Sequence, residues 1–169
     1  MRTNTCGELN IGHVGKEVTI AGWVQTRRNL GKIVFLDVRD RAGMVQVVCV
    51  PNDLGADYDL LKDVRGEYVV EIVGLVNKRG AKNVNPDLPT GEVEVLAMGL
   101  KILAKAEALP LDLNDEKIGL DVHLDNLPLT LRSEKWRAVF KVQSEIVEAF
   151  RAFLRKEQFI EFQCAKIVG

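Results

Sequence analysis

The chain has 169 residues, of which 47% are hydrophobic, and a formal net charge of −1. That is enough apolar surface for a packed core and too balanced a charge for a bulk polyanion binder, so any nucleic-acid contact must come from local basic clustering. Cys6, Cys49 and Cys164 lie far apart without CxxC spacing, which sets aside a zinc site and reads as unpaired thiols of a reducing compartment. The first ten residues hold no apolar signal core, and no run reaches the ~18–20 apolar residues that a membrane span needs. A cytoplasmic protein is the expectation.

After a short lead-in with turn residues at Gly12 and Gly15, alternation predicts a first strand over 17–28. Val18, Ile20, Gly22 and Val24 share one face, and Thr19, Ala21, Trp23 and Gln25 share the other. Gly22 inside the strand predicts a bulge or sharp coil, as small closed barrels need. Trp23 reads as a packing residue in preference to a ligand-stacking one. Two further strands follow, separated by turns at Asn29-Leu30-Gly31 and Arg41-Ala42-Gly43.

On the middle strand Val34, Leu36 and Val38 point one way, and Ile33, Phe35, Asp37 and Arg39 the other. Phe35 thus falls on the polar face, with Arg27, Arg28, Lys32, Arg39 and Arg41 around it in sequence. An aromatic ring among cations is the composition of a single-stranded nucleic-acid platform, where bases stack and cations hold phosphates. The same spacing also fits a ring packed under a loop or helix at a barrel end. Gln46 on the next strand favours the platform, because its amide can hydrogen-bond a base edge beside the ring.

Pro51-Asn52-Asp53 breaks the strand pattern, and a compact helix is predicted over 56–65 with Tyr58, Leu61 and Val64 on one side. Strands at 67–78 and 91–103 follow, joined by a turn-rich loop from Arg79 to Thr90. Strand-strand-strand-helix-strand-strand is the order of an OB-fold, a mainly β five-stranded barrel that binds oligonucleotides on its second and third strands and adjoining loops. The basic and aromatic residues fall on those strands. The barrel is expected to span 1–104, with a hinge at 105–131 containing one short helix, and His13 and His123 read as structural. From Ser133, a potential N-cap with Glu134 in the first turn, the period becomes helical. Val139, Val142, Ile146, Phe150, Phe153 and Leu154 form a wide apolar stripe, and a strand-like tail, Phe159-Ile160-Glu161-Phe162, comes after it.

Together these stretches resemble the aspartate–tRNA ligases, in the class II branch that also holds the asparagine and lysine enzymes. GWV, RR, GK, F, DVRDRAG and VQVV resemble their anticodon-binding barrel. LDVHLDNLPLTLR resembles the junction to the catalytic domain, and AVFKVQSEIVEAFRAFLRKEQFIEFQCAKIV resembles motif 1, the helix and strand of the class II dimer interface. The resemblance implies that Phe35 stacks on the central anticodon uridine, that Gln46 hydrogen-bonds it, and that Arg28, with Arg27 beside it, holds nearby atoms. It implies that Lys82 and Asn85 meet other anticodon positions, and that Val139, Val142, Ile146 and Phe150 lie at a homodimer interface. Leu30 and Lys82 stand where family members differ in accepting asparagine tRNA besides aspartate tRNA.

Cys164-Ala165-Lys166 departs from the proline with which motif 1 normally closes. The 132–169 segment reads as the start of a catalytic domain without motifs 2 and 3, which bind ATP and magnesium in the full-length family. No Gly-rich phosphate loop replaces them. The expectation is therefore an anticodon-reading part of an aspartate–tRNA ligase, catalytically silent by itself. The alternative is a free-standing OB-fold protein that binds tRNA or other single strands.

Overall fold

A computed structural model describes residues 1–113 and 117–164. Two compact units divide the chain, Met1–Ala108 and Leu109–Gly169.

The first unit is a closed barrel of β1 (Glu17–Leu30), β2 (Ile33–Arg39), β3 (Met44–Cys49), β4 (Val69–Lys78) and β5 (Val93–Ala104), in the order β1-β2-β3-β5-β4. All pairings are antiparallel except β3 with β5, whose parallel Val47↔Val95 and Val48↔Leu96 contacts close the ring and leave no free edge. The period of two decides the core. Val18, Ile20 and Val24, then Val34, Leu36 and Val38, then Val45, Val47 and Cys49 are buried inside, in one core with Val70, Ile72, Val93 and Val95. Full burial of such a side chain is worth about 1.5–3 kcal/mol.

The β1–β2 turn is tighter than the sequence predicts. β1 runs on to Leu30, which pairs with Ile33, and only Gly31 and Lys32 connect them. Gly31 at φ +73 occupies the first central position, where a hairpin of this length favours glycine. Gly22 is not the bulge. A Cβ there would stand 2.3 Å from the Arg39 carbonyl oxygen, so glycine permits the close approach of β1 to the end of β2. The bulge is at Gln25, where the β1–β2 register shifts between Val24 and Thr26.

The predicted helix over 56–65 is replaced by a short α1 (Pro51–Leu54) and a 3-10 segment over Gly55–Lys62. Pro51 begins the helix instead of only ending the strand, because its fixed φ suits a first helical turn and its missing N–H is not needed there. Tyr58 and Leu61 stand three residues apart, with Val64 three further on. That is the 3-10 repeat, and it brings Leu61 and Val64 onto the barrel end as buried residues. At the N-terminus, Asp40 ties the lead-in to the β2–β3 turn. Its carboxylate accepts from the backbone N–H groups of Cys6 (2.9 Å), Ala42 (2.8 Å) and Gly43 (3.2 Å).

In the second unit the predicted single short helix is two, α2 (Leu120–Asp125) and α3 (Leu127–Thr130), followed by α4 (Glu134–Lys156). His123 is buried and stacks on Trp136 with centroids 3.6 Å apart. Ser133 occupies the N-cap position in extended conformation but makes no capping hydrogen bond, and the Glu134 side chain lies outside the described residues. Gln158 at φ +64 ends α4, with Phe159 N donating to the Leu154 carbonyl at 3.0 Å and Gln158 N to that of Arg155 at 3.0 Å. This paired arrangement satisfies the last carbonyls of a helix. Phe159 to Phe162 form no strand, since a strand needs a ladder partner and the described residues supply none. Ala165 and Lys166, at the place of the missing proline, lie outside the described residues.

Candidate nucleic-acid interface

The outer face of the β1–β2–β3 ribbon carries the polar side of the alternation. The bulge at Gln25 decides which β1 residues share it. Without the bulge, counting from buried Val24 would put Arg27 outward and Arg28 inward. An extra residue in one strand reverses that parity. Arg28 pairs with Phe35, and Arg27 pairs with buried Leu36. The Arg27 Nε donates to the Leu61 carbonyl at 3.2 Å, so this side chain crosses the barrel end and stands apart from Phe35 and Gln46.

Phe35 is half-buried on the outer face, beside Val48 of β3. The Arg28 guanidinium lies 5.8 Å from its ring centroid, within cation–π range. One nitrogen of Arg28, Nη2, donates to both carboxylate oxygens of Asp37, at 3.1 and 3.3 Å, and to Gln46 Oε1 at 3.1 Å. Gln46 Nε2 in turn donates to Glu94 Oε2 at 3.1 Å. Asp37 and Gln46 are direct cross-strand partners, and β5 brings Glu94 alongside through the parallel pairing.

Glu94 also faces the Arg79 guanidinium, with Nε 3.8 Å from Oε2. Arg79 is 6% exposed. Its Nε donates to the Val93 carbonyl at 3.0 Å and its Nη1 to that of Asn83 at 3.4 Å, while Nη2 has no hydrogen-bond partner among the described residues. Burial pulls this guanidinium below its ordinary value, opposed by the nearby Glu94 charge. The Nη2 atom is itself buried, so the Arg79 guanidinium holds Glu94 and the Val93 and Asn83 carbonyls in place from beneath the surface.

The other basic residues of the predicted ring stand elsewhere. Arg39 lies 5.8 Å from the centroid of the Trp23 ring and bonds Gln25 and Glu67. Lys32 and Arg41 are exposed in the two turns. Lys82 is exposed in a 3-10 turn of the β4–β5 loop (Ala81–Asn83), and Asn85 uses its side-chain oxygen to accept from Asp87 N at 3.0 Å. The loop is anchored at its ends by Arg79 and by Thr90, whose hydroxyl donates to the Met44 carbonyl at 2.5 Å.

Arg79 and Glu94 are the two site residues that sequence reasoning missed. The alternation in GEVEV already puts Glu94 on an outward face. Only the β3–β5 pairing shows that this face is the one carrying Gln46.

On the second unit, Val139 (51% exposed), Val142 (59%), Ile146 (63%) and Phe150 (64%) lie open on α4. Among the described residues, no helix is long and apolar enough to cross a membrane, and no three His, Cys, Asp or Glu residues gather as a metal site.

Comparison with known proteins bears on the fold that carries this face. A family model described as an OB-fold nucleic acid binding domain matches residues 18–103. An aspartate–tRNA(Asp/Asn) ligase of Campylobacter concisus is 41% identical over 96% of this chain, which spans 28% of that relative's length. Among solved structures, an asparaginyl-tRNA synthetase from Pyrococcus horikoshii aligns at TM-score 0.81 with 30% identity, covering 96% of this chain and 37% of that one. An aspartyl-tRNA synthetase from Entamoeba histolytica aligns at TM-score 0.83 over 97% of this chain and 39% of that one, at 23% identity, and shows the fold alone. With half of its length matched by that model on a barrel of the same topology, the chain belongs to the family of OB-fold nucleic acid binding domains, and its likeness to aspartate–tRNA ligases runs over nearly all of it.

Proposed function

We propose that this chain is the anticodon-reading part of an aspartate–tRNA ligase. The observation that carries the reading is the joined set of Phe35, Arg28 and Gln46 on one outward face, where a ring, a cation and an amide can engage a single unstacked base. Phe35 stacks on the central anticodon uridine, Gln46 hydrogen-bonds its edge, and Arg28 holds adjoining oxygen atoms. Arg79 and the loop with Lys82 and Asn85 stand at the next bases, with Glu94 closing that side. Arg27 supports the barrel end in place of touching RNA.

In the longer protein the activity would be attachment of aspartate to its tRNA, with ATP and magnesium bound by residues other than the described ones. The tRNA would be that of aspartate, and asparagine tRNA is a further candidate because the Campylobacter concisus relative is named for both. The exposed stripe Val139, Val142, Ile146 and Phe150 would pair with a second subunit, since an open apolar face of this size marks an interaction surface. Three free cysteines fit a cytoplasmic setting. A free-standing module is the weaker reading, because the likeness continues through α4.

The test is a fluorescence-anisotropy titration of the chain with short RNA hairpins at fixed salt. One hairpin carries the aspartate anticodon and another has its central uridine replaced by adenosine. A preference of about 5-fold or more for the first is expected from one well-made base contact of ~1–3 kcal/mol. Equal affinity for both would overturn the proposal.

A further inference from the structure

The Gln46 side chain does not hang free between two possible orientations. Its oxygen accepts from Arg28 Nη2 at 3.1 Å, and its nitrogen donates to Glu94 Oε2 at 3.1 Å. A guanidinium can only donate and a carboxylate can only accept. Turning the amide over would set NH2 against the cation and the oxygen against the anion, losing both bonds. Arg28 is itself held, because Asp37 takes the same Nη2 with both oxygens at 3.1 and 3.3 Å. The chain Asp37–Arg28–Gln46–Glu94 is therefore polar in one direction from end to end.

That direction matters for a stacked pyrimidine. Uracil offers a donor at N3 beside an acceptor at O4. Cytosine, in the same pose, offers an acceptor at N3 beside a donor at N4. An amide that rotates freely satisfies either base. One held in a single orientation satisfies the first and opposes the second.

We propose that Asp37 and Glu94 are positioning residues that lock the Gln46 amide in one orientation and so make it a reader of uracil against cytosine. The inference rests on the anticodon-reading proposal and adds to it the source of selectivity. The spare hydrogen on Nε2 and the second lone pair on Oε1 meet the base, while the lock uses the others. The carboxylates act through Arg28 and Gln46, and the lock itself requires no contact between them and the pyrimidine. Their negative charge alone would weaken binding of any RNA.

The test compares hairpins with uridine or cytidine at the central anticodon position, bound by the wild-type chain, Glu94→Gln and Asp37→Asn. Glu94→Gln offers Gln46 a donor as well as an acceptor, which removes the opposition to turning on that side and leaves Arg28 alone to hold the amide. The expected result is a uridine-to-cytidine affinity ratio falling from about 5-fold or more to about 2-fold or less, mainly because the cytidine hairpin binds better. Asp37→Asn should lower both the ratio and the affinity for the uridine hairpin, although it removes a negative charge. Asp37 and Glu94 lie outside the barrel core, so unchanged thermal melting of both variants is part of the expectation.

Equal gains by both hairpins in both variants would show a plain charge effect and overturn the proposal. Wild-type ratios retained in both variants would overturn it too, with the anticodon reading left standing. A wild-type ratio of one, with no preference over the adenosine hairpin, would remove both.

Discussion

Phe35 and Leu36 are neighbours on one strand with opposite tasks, and truncating each to alanine separates binding from folding. The Phe35 ring is half-buried on the outer face, and its register partners are Val48 and Arg28. Phe35→Ala removes the stacking surface for one base, worth ~1–3 kcal/mol, which corresponds to a Kd rise of about 5- to 150-fold. Its folding cost is that of outer-face cross-strand contacts, about 0.2–1 kcal/mol. Leu36 is 0% exposed, and Leu36→Ala leaves a core cavity costing about 2–5 kcal/mol.

Anisotropy titration with the aspartate-anticodon hairpin at one salt concentration, paired with thermal melting, reads both quantities. Phe35→Ala should bind several-fold more weakly and melt within a few degrees of wild type, about 4–8 °C being the shift for each kcal/mol in a unit of this size. Leu36→Ala should melt far lower. If Phe35→Ala kept wild-type affinity while its melting fell as far as that of Leu36→Ala, the ring would be a packing residue and not a stacking platform.

The two adjacent arginines should differ just as sharply. Arg28→Ala should weaken the matched hairpin by about tenfold or more, whereas Arg27→Ala should leave its affinity within about twofold and lower stability by roughly 1–3 kcal/mol, since its bond to the Leu61 carbonyl is charge-assisted; hairpin titrations and urea melts decide. In a thiol-labelling time course at pH 8, exposed Cys164 should react within minutes, and buried Cys6 and Cys49 only on unfolding.

Burial pushes both barrel thiols up to about 12, with the Asp40 charge adding to the rise at Cys6. A raised folded value means that the native state keeps its proton where the unfolded chain releases it. The corresponding stability should be intact below pH 9 and should fall as pH climbs from 9 toward about 12. Denaturant midpoints measured across that range should decline less steeply in Cys49→Ala. Asp40→Ala leaves the Cys6, Ala42 and Gly43 amides without their acceptor and should destabilise the barrel by about 1–3 kcal/mol in urea titration.

Much of the barrel was legible because alternation is a local property. Val34, Leu36 and Val38 had to point inward together, and Phe35, Asp37 and Arg39 outward, once 33–39 formed a strand. The same parity put Asp37 and Gln46 on outward faces, and hairpin pairing of β2 with β3 set them side by side. The 56–65 segment looked helical because Tyr58, Leu61 and Val64, spaced three apart, suit an α-helix nearly as well as a 3-10 turn, and only docking on the barrel end chose between them. The expected strand over 159–162 failed for want of a neighbour to pair with.

The sequence by itself determined the inward and outward sets of β2, of β3 and of β1 as far as Val24, the turn at Gly31 and the amphipathic run of α4, because each depends on side chains within a few positions of one another. Tertiary structure decided which arginine meets the ring, because a one-residue bulge at Gln25 reverses the parity of everything after it in β1. It also decided that Glu94 and Arg79 join the site. Glu94 reaches Gln46 through the parallel closure of β3 on β5, a pairing between segments 48 residues apart in the chain that no local pattern encodes, and Arg79 joins through Glu94.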